Sequence, residues 1–377
     1  PVPSTGYVSG VSGTILRTTN SGQSWEKLAS GTPAHLLGVA FSDASTGIVV
    51  GRGGVIRKTT NGGQNWSALT SNTNMDLWWP SYLDANTAVV VGNLGTILRT
   101  TDGGSSWAQQ TSGSAELHGL DFPTPSVGIA VGSQGTILRS TDAGVTWSSV
   151  PSGTTNSLYM VNFATASVGI AVGFSGTIVR TTNGGQSWTK LPAFDVPTIF
   201  NIYGVSFSDE TRGVVVGGSS GVPADILQTF DGGATWTKLP IIADSPLIGV
   251  YMVDGSTGVI VGTNGNILGT SPGGQVTEVN EPVAELPENF LLSQNYPNPF
   301  NPSTVIRYSL PGVGTRYDVS LRIYNLLGQE VETLVKGERE AGEHRVEWRP
   351  EGLPSGIYFY RLQAGSFSET KKLVLLR

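Results

Sequence analysis

Short apolar stretches alternate with polar, glycine-rich stretches throughout positions 1–276. In the clearest unit, residues 117–147, four short strand-like runs are bounded by Gly, Ser, Asp or Pro. The runs cover residues 117–122, 127–132, 135–140 and 147–150. Each has the length and the boundaries of a β-strand, and the sequence shows no helical periodicity of useful length. Four short antiparallel strands in about 40 residues are the unit of a β-propeller blade.

An eight-residue phrase that ends in Trp repeats along the same part of the sequence. It reads Thr-Thr-Asn-Ser-Gly-Gln-Ser-Trp at residues 18–25 and returns at 59–66, 100–107, 140–147, 181–188 and 229–236. The intervals between successive copies are nearly constant, and only the last one is longer. A period of about 40 residues with strand-like content is typical of an array of small sheets. We therefore predict an all-β fold in which residues 1–276 form a seven-bladed β-propeller.

Three positions of the phrase have structural roles. The Asn or Asp at the third position can accept a backbone N–H two residues on and close a turn between strands three and four. The Gly at the fifth position supplies the positive φ that the turn demands. The Trp is expected to bury its ring between neighbouring blades, so we interpret the phrase as structural rather than catalytic. In chain order, the residues are Asn20, Asn61, Asp102, Asp142, Asn183 and Asp231; Gly22, Gly63, Gly104, Gly144, Gly185 and Gly233; and Trp25, Trp66, Trp107, Trp147, Trp188 and Trp236.

The first and last units are incomplete. The seventh unit follows the pattern through residues 247–268, but its phrase position reads Thr-Ser-Pro-Gly-Gly and lacks the Asn or Asp and the Trp. The first unit begins with Gly-Tyr-Val-Ser-Gly at residues 6–10, which matches a second strand. The innermost strand of the first blade is therefore missing from this sequence. It lies upstream of residue 1, or residues elsewhere complete the blade, because an unpaired innermost edge is a pairing hazard.

These units resemble the Asp-box, or BNR, repeat, and their spacing is similar to that of the propellers of photosystem II stability/assembly factors. The resemblance covers residues 6–276 and implies a seven-bladed propeller without fixing an activity. Sialidases share the box, but they also need an Arg triad, a Tyr/Glu pair and an acid on non-identical blades. Here the recurring basic residues occupy the same position in each repeat, which favours a structural role in the blade template, the set of residues that every blade shares, over an Arg triad. They are Arg17, Lys58, Arg99, Arg139 and Arg180.

The C-terminal quarter has a different organisation. Residues 277–289 are poor in apolar residues and contain two prolines, so we interpret them as a linker. Residues 277–377 carry 11 of the 22 basic and 13 of the 28 acidic residues. Strand-like runs at 304–310, 319–324, 330–335, 343–348, 356–364 and 369–376 predict an Ig-like β-sandwich over residues 290–377.

Four ordered motifs of this quarter identify a second resemblance. They are Asn-Tyr-Pro-Asn-Pro-Phe-Asn-Pro at 295–302, Ile-Tyr-Asn-Leu-Leu-Gly-Gln-Glu-Val at 323–331, Leu-Pro-Ser-Gly-Ile-Tyr at 353–358 and Lys-Lys-Leu at 371–373. They resemble the type A C-terminal sorting domain of the type IX (Por) secretion system. The resemblance implies export through that machinery, by way of residues 290–377, to the outer surface or surroundings of a Bacteroidota-like Gram-negative bacterium. The family usually removes this domain during export. The alternative is an Ig-like module that serves only this protein's own assembly.

The amino-acid composition argues against several classes of partner and functional site. With 13% charged residues and a net charge of −6, nothing favours nucleic acid as a partner. No apolar run approaches the ~20 residues of a membrane-spanning helix. The chain has no Cys, and its three His residues have no metal-site spacing, so we expect no metal and no cofactor. Four acidic residues outside the phrase could in principle supply the two catalytic carboxylates of a glycosidase, but none recurs in a sequence context that indicates such a role. They are Asp76, Glu116, Asp195 and Asp225. We therefore predict that the protein is not an enzyme.

One position of the repeat differs from unit to unit, whereas most positions keep the same type of residue. The second residue of each first strand is Leu37, Trp78, His118, Tyr159, Tyr203 or Ile248, and Trp79 follows Trp78. In a propeller these strands line the central channel, so the rings are expected at one of its mouths. Exposed rings suit stacking on sugars or contact with a protein, and the alternative is that they plug the channel mouth. The candidate binding residues are Trp78, Trp79, His118, Tyr159 and Tyr203.

The leading functional hypothesis is a secreted or cell-surface, non-enzymatic propeller. It would act as a structural scaffold or adhesion component and self-assemble into filaments by strand complementation at the incomplete first blade. Its partners would be other copies of itself, surface proteins or polysaccharide. One alternative is an extracellular glycan-binding protein, with glycan cleavage ranked below binding. A second alternative is an assembly chaperone, by analogy with the photosystem factors.

Overall fold

The computed structural model describes residues 4–192, 201–219, 222–239, 245–255, 257–271, 275–278, 290–311, 316–340, 342–350, 352–365 and 367–376. The chain divides into two compact units, residues 1–282 and 283–377. The described residues form strands and turns, and the six helical segments among them are three-residue 3₁₀ turns. The all-β prediction is confirmed. Asp195 and residues 279–289, most of the predicted linker, lie outside the described residues.

Seven antiparallel sheets follow one another along the described residues of the first unit. The first sheet contains β1 (Gly6–Ser9), β2 (Ile15–Thr18) and β3 (Glu26–Leu28). The second, third and fourth sheets contain β4 (Leu36–Phe41), β5 (Gly47–Gly51), β6 (Ile56–Thr59) and β7 (Ser67–Leu69); β8 (Leu77–Tyr82), β9 (Ala88–Gly92), β10 (Thr96–Thr100) and β11 (Ala108–Thr111); and β12 (Leu117–Asp121), β13 (Gly128–Gly132), β14 (Ile137–Ser140) and β15 (Ser148–Ser149).

The last three sheets of this unit repeat the same strand order. They contain β16 (Leu158–Phe163), β17 (Gly169–Gly173), β18 (Ile178–Thr181) and β19 (Thr189–Lys190); β20 (Asn201–Phe207), β21 (Gly213–Ser219), β22 (Val222–Thr229) and β23 (Thr237–Lys238); and β24 (Leu247–Met252), β25 (Gly258–Gly262), β26 (Ile267–Ser271) and β27 (Gln275–Glu278). The 3₁₀ turns lie between second and third strands, at Val11–Gly13, Arg52–Gly54, Asn93–Gly95, Ser133–Gly135, Phe174–Gly176 and Thr263–Gly265. We call the strands of each four-stranded sheet first to fourth; β1 matches a second strand, because such a turn follows it.

The second strands form the core of the repeat. β13 reads Gly-Ile-Ala-Val-Gly, and β5, β9, β13 and β17 are buried at every residue. Strands covered on both faces are expected to be apolar throughout rather than alternating. β1 differs, because all four of its residues are only half-buried.

Each phrase folds into the predicted turn, with one correction. The Gly at the fifth position has a φ between +77° and +89° in all six copies, as predicted. The Asn or Asp was expected to accept the N–H two residues on, but it accepts the N–H four residues on: Asp102 Oδ1 bonds Ser106 N at 2.9 Å. The side-chain hydroxyl at the first position of the phrase forms the inner hydrogen bonds of the turn. Thr100 Oγ1 accepts a hydrogen bond from Gly104 N and donates one to Asp102 Oδ1. The wider loop arises because two consecutive positive-φ residues separate the Asp from its hydrogen-bond donor.

The recurring basic residues join neighbouring sheets. Arg139 Nε in the fourth sheet donates to Gly184 O in the fifth at 2.8 Å, and Arg99 Nε in the third donates to Ala143 O in the fourth at 2.9 Å. The corresponding bonds of Arg17, Lys58 and Arg180 have lengths of 2.6–3.0 Å. The interpretation of these residues as part of the blade template is therefore confirmed.

The Trp rings lie between sheets, as the sequence predicts. Trp107 in the third sheet packs in one cluster with Ile48 and Val50 of the second, and Trp188 in the fifth packs with Ile129 of the fourth. Trp66, Trp107, Trp188 and Trp236 are buried, whereas Trp25 and Trp147 are half-buried.

The first and seventh sheets are neighbours. A Cβ atom built on the phrase glycine Gly233 would lie 2.7 Å from Ile170 in the second strand of the preceding sheet. A Cβ atom built on Gly22 would lie 3.1 Å from Val259 Cγ2, and Val259 belongs to β25. The first sheet thus stands beside the seventh in the way that each later sheet stands beside its predecessor.

The second unit has two sheets around one core. One sheet is ordered β28 (Leu291–Leu292), β29 (Thr304–Leu310), β32 (Gly342–Trp348), and the other is ordered β31 (Glu330–Glu340), β30 (Arg316–Tyr324), β33 (Gly356–Ala364), β34 (Phe367–Leu375). Ile306 and Tyr308 of the first sheet share a buried cluster with Leu321 and Tyr360 of the second. The six predicted runs correspond to β29–β34. The runs at 304–310 and 356–364 match β29 and β33 at both ends, and the other four have shifted ends. The sequence analysis missed β28, and β27 takes residues 277 and 278 from the predicted linker.

The motif at residues 295–302 is tied to this core. Asn295 is buried, its Nδ2 donates to Thr304 Oγ1 at 2.9 Å, and its N–H donates to Tyr360 Oη. Asn298 Oδ1 accepts Val374 N at 2.9 Å, and Phe300 packs on Trp348 with centroids 5.6 Å apart. The Asn and Phe residues of the motif therefore fix its path against β33 and β34.

Candidate functional site

Every described first strand carries a β-bulge near its start, at its second residue except in β20, where Tyr203 is the third. In β12, Leu117 faces Gly132 and Gly119 faces Val131, so His118 has no partner of its own. The same shift occurs at Leu37, Trp78, Tyr159, Tyr203 and Ile248. A bulge leaves one residue unpaired and redirects its side chain. The variable positions of the sequence are therefore the positions that the ladder leaves free.

Four of these side chains form a continuous row, which we call the aromatic arc: Trp78, His118, Tyr159 and Tyr203. The ring centroids of Trp78 and His118 are 5.4 Å apart in an edge contact, and those of His118 and Tyr159 are 5.6 Å apart. Tyr159 and Tyr203 stack with centroids 5.3 Å apart. The arc crosses four successive sheets, from the third to the sixth, and all four residues are half-buried.

Hydrogen bonds hold the rings in place. Trp78 Nε1 donates to Asn93 Oδ1 at 2.5 Å, His118 Nδ1 lies 3.1 Å from Leu158 O, and Asn201 Nδ2 donates to Tyr203 Oη at 3.0 Å. Burial, with the neighbouring Tyr203, raises the pKa of Tyr159, so this phenol stays neutral at physiological pH. A preorganised row of rings offers flat apolar surface with polar edges, which suits sugars and protein side chains.

The fifth candidate, Trp79, belongs elsewhere. It pairs with Val91 across the ladder and packs on the cluster that contains Leu117 and Leu120. Trp79 thus fills the seam between the third and fourth sheets, and the structure does not bring it into the arc.

The arc lies at the sheet ends that also carry the 3₁₀ turns. Ser133 N donates to Glu116 O, and Phe174 N donates to Ser157 O, so these turns are held to the starts of the first strands. Three of these turns expose an apolar side chain there: Val11, Leu94 and Phe174 are 60%, 54% and 46% exposed. The phrase turns lie at the opposite strand ends. The surface around the arc is therefore more apolar than the ring positions alone predict.

Three of the four candidate acids lie among the described residues, and each contacts a different partner. Asp76 accepts Gly53 N, Glu116 Oε2 lies 3.5 Å from His118 Nε2, and Asp225 is buried in an ion pair with Lys238. Within the described ranges, no group of three or more His, Cys, Asp and Glu side chains could hold a metal ion. None of the helical segments described is long and apolar enough to cross a membrane. Stacking and hydrogen bonding are the chemistry that the arc offers.

One carboxyl on the strand that carries His118 has a raised pKa. Asp121 ends β12, and its Oδ2 accepts Phe163 N at 2.8 Å and Asn162 Nδ2 at 3.3 Å from the next sheet. Burial raises the pKa of Asp121 to about 6, although these hydrogen bonds oppose the rise. Asn162 holds the same place one sheet on, where its Oδ1 accepts Phe207 N at 2.9 Å. The position requires an acceptor and does not require a charge.

We expect Asp121→Asn to remove a pH dependence from stability. Because the folded pKa lies above the usual 3.8, protonated Asp121 stabilises the fold below about pH 4, and that contribution is lost as the pH rises through about 6. A rise in pKa of this size corresponds to a change of about 3 kcal/mol in the free energy of unfolding. Because the residue is partly exposed, we expect a change of ~1–2 kcal/mol.

Calorimetry of both proteins at pH 4, 5, 6 and 7 measures this effect. The unfolding free energy of the wild type, relative to the variant, should fall between pH 4 and 7. Asp102→Asn is the control: hydrogen bonds from Ser106 hold the pKa of Asp102 at about 2, so its effect should appear only below pH 4 and with the opposite sign. A constant difference between wild type and Asp121→Asn across this range would contradict the account.

Two family models match the sequence. Residues 2–116 and 140–246 match photosynthesis system II assembly factor YCF48, and residues 294–376 match a secretion system C-terminal sorting domain. The first match covers the first three sheets, the end of the fourth, and the fifth and sixth sheets, and the second match lies on the second unit. A search of the curated proteins finds no match.

Several solved structures have a similar fold. YCF48 bound to D1 peptide matches with a TM-score of 0.58 and 22% identity, over 71% of this chain and 88% of that one. YCF48 from Cyanidioschyzon merolae matches with a TM-score of 0.60 and 21% identity, over 72% and 92%. The WD40 β-propeller domain of Doa1 matches with a TM-score of 0.52 and 12% identity, over 72% and 88%. At these identities the likeness shows the fold alone, which is that of a propeller.

Proposed function

Because the chain belongs to the photosynthesis system II assembly factor YCF48 family and ends in a sorting domain, we propose that it is a secreted, non-enzymatic propeller that acts as a scaffold or adhesion component at the cell surface. The sorting-domain match supports export through type IX secretion machinery in a Bacteroidota-like bacterium. The propeller is the part that acts outside the cell. The aromatic arc is the surface by which it contacts its partner.

The observation that carries this proposal is the continuity of the arc. Four sheets each place a ring on the same unpaired bulge position, and successive centroids lie 5.3–5.6 Å apart. Rings that serve only as packing gain nothing from remaining half-exposed, since burial is the source of their stabilisation. Half-exposed, hydrogen-bonded rings beside further exposed apolar side chains are characteristic of an interaction site.

Two finer features of the fold are part of the proposal. We take the seven sheets as seven blades of one ring, and the contact between Gly22 and Val259 supports this, because it repeats the spacing between other neighbours. We take the second unit as an Ig-like sandwich, supported by its two sheets and shared core.

The partner on the cell surface is a polysaccharide or a protein. Polysaccharide is favoured by the flat rings of the arc, which suit stacking on sugars. A second candidate is an extended peptide, because one structure of similar fold holds a D1 peptide.

The test is binding of the fluorescently labelled chain to cells of the source bacterium that lack its gene. We expect Trp78→Ala/Tyr159→Ala to reduce binding at least tenfold, because the row loses two of its four rings and with them its stacking surface. Periodate treatment of the cells tests polysaccharide as the partner, and protease treatment tests protein.

Phe230→Ala/Val145→Ala is the matched control. These side chains are 62% and 48% exposed and lie in or beside the phrase turns, at the opposite strand ends from the arc. The control should bind like the wild type, and both variants should keep their melting temperatures within about 2 °C, as expected of surface substitutions. Equal binding by the arc variant and the wild type would overturn the proposal.

A further inference from the structure

The side chain just before a first strand accepts a hydrogen bond from the 3₁₀ turn of the preceding sheet in three places. In each of them the donor is the backbone N–H of the second residue of that turn. The bonds join His35 Nδ1 to Ser12 N at 3.1 Å, Asp76 Oδ1 to Gly53 N at 2.9 Å and Asn201 Oδ1 to Ser175 N at 3.2 Å. A polar side chain at this position therefore has a structural role where it reaches the turn.

Glu116 holds the same position in the fourth sheet, but its carboxylate is turned toward the aromatic arc. Its Oε2 lies 3.5 Å from His118 Nε2, and its side chain is 51% exposed. Among the described residues, it makes no hydrogen bond to the 3₁₀ turn of the third sheet, where Leu94 is the second residue. The carboxylate is therefore available to a ligand at the arc.

His118 presents a second acceptor beside this carboxylate. Its Nδ1 lies 3.1 Å from Leu158 O, and a carbonyl oxygen only accepts, so the proton of the neutral ring is assigned to Nδ1. Nε2 is then an acceptor, as is the ionised carboxylate of Glu116. Two acceptors that face each other at 3.5 Å are satisfied by a donor, either a proton on Nε2 or a ligand group. A ligand group with two or more N–H bonds satisfies both acceptors at once.

Trp78 adds an aromatic ring to this pair of acceptors. Its plane stands at 86° to that of His118, with the centroids 5.4 Å apart, and its Nε1 is held by Asn93. Among aromatic side chains, Trp attracts cations most strongly, through the face of its ring and within about 6 Å of the centroid. A carboxylate, an imidazole acceptor and a Trp ring together favour a donor that also carries a positive charge. An ammonium group has both properties, with three N–H bonds.

We propose that Trp78, His118 and Glu116 form a site for the free amino group of an amino sugar in a polysaccharide. The inference rests on the proposed function, since it names the chemical group that the arc recognises. An amino group attached directly to a sugar ring brings that ring against the aromatic surface, and both Trp78 and Tyr159 lie next to His118. The ammonium group of a Lys side chain ends a flexible stem of four carbons and needs no flat surface beside it. The continuous arc therefore favours the sugar.

Calorimetric titration of the 377-residue chain with two oligosaccharides tests this site. One is a hexamer of glucosamine, which has free amino groups, and the other is its fully N-acetylated form. We expect the wild type to bind the free-amine hexamer about tenfold more tightly, because acetylation removes the charge and two of the three donors of each group. Glu116→Gln should abolish this difference, because Gln keeps the size of the side chain without its charge. Equal binding of the two hexamers by the wild type would overturn the proposal.

Asp102→Asn is the matched control for net charge. Asp102 lies in a phrase turn, at the opposite strand ends from the arc, and Asn holds the same phrase position in three other copies. This variant loses the same charge as Glu116→Gln, yet it should bind both hexamers like the wild type. The far-UV circular dichroism of both variants should match that of the wild type. A comparable loss of affinity in Asp102→Asn would mean a general attraction of cations and would overturn the proposal.

Cell binding separates this inference from the proposed function. We expect Glu116→Gln, acetylation of the cells with acetic anhydride, and periodate treatment each to reduce binding of the labelled chain. If Trp78→Ala/Tyr159→Ala loses binding but Glu116→Gln and acetylation leave it unchanged, the proposed function stands and this inference is wrong. If Glu116→Gln loses binding and protease, rather than periodate, removes the partner from the cells, the ammonium group belongs to a protein and the amino-sugar assignment is overturned.

Discussion

Replacing Trp107 with Ala is expected to lower the free energy of unfolding of the propeller by about 3–5 kcal/mol, as for other buried Trp residues. Trp107 is 6% exposed and lies in the cluster that joins the second and third sheets. Its Nε1 has no hydrogen-bond partner in the described part of the chain, so the loss is one of packing. In a unit of this size, the melting temperature should fall by roughly 10 °C.

Trp25→Ala is the matched control in the first sheet. Trp25 occupies the same phrase position but is half-buried and, among the described residues, lacks the edge contact with a Phe ring that four other phrase Trp rings make. Its replacement should therefore cost about half as much as that of Trp107. Differential scanning calorimetry of both variants measures the two losses. Equal losses would contradict the conclusion that the first sheet is less completely packed than the third.

Replacing Gly132 with Ala is expected to destabilise the propeller by about 3 kcal/mol, near the upper end for overpacking of a core. The added Cβ atom overlaps Glu116 O, and the atom in conflict belongs to the backbone that enters β12 rather than to a flexible side chain. The backbone itself is not strained, since Gly132 has a φ of −164°. The loss of unfolding free energy therefore reports that a neighbouring strand lies against Gly132.

Gly10→Ala gives the comparison, because its φ of −160° is nearly the same and its Cβ atom meets no described atom closer than 3.7 Å. Thermal unfolding should show a large loss for Gly132→Ala. The change for Gly10→Ala should stay within about 0.5 kcal/mol, the usual range for a substitution that disturbs no packed neighbour. A comparable loss at Gly10 would contradict this account of Gly132, because the collision with Glu116 O would then not explain the difference.

The repeat made most of the fold predictable. The period, the glycine positions and the Trp positions each predict a feature that the structure contains, because local turn chemistry and burial act the same way in every unit. The single basic residue per unit was correctly assigned to the template, although its partner could not be foreseen. Arg139 bonds a carbonyl 45 residues away, and no local signal specifies that contact.

Other features depend on relations between strands. The reach of Asp102 to a residue four positions on follows from two successive positive-φ residues, Gly103 and Gly104, which the sequence permits but does not require. The bulges that free the arc residues depend on the pairing register, because each occurs where the start of a first strand pairs with a Gly near the end of a second strand. Trp79 was grouped with Trp78 because the two are adjacent, yet neighbouring residues of a strand point to opposite faces.

The most direct test of the central claim is ¹⁹F NMR of the chain labelled with 5-fluorotryptophan, titrated with the surface extract of the same cells. The signal of Trp78, assigned by its absence in Trp78→Phe, should shift or broaden, because this ring lies in the binding surface. The signals of Trp107 and Trp188, assigned in the same way, should stay in place, because these rings are enclosed between sheets. A response at the enclosed rings without one at Trp78 would contradict the assignment of the aromatic arc as the site at which this propeller binds its partner.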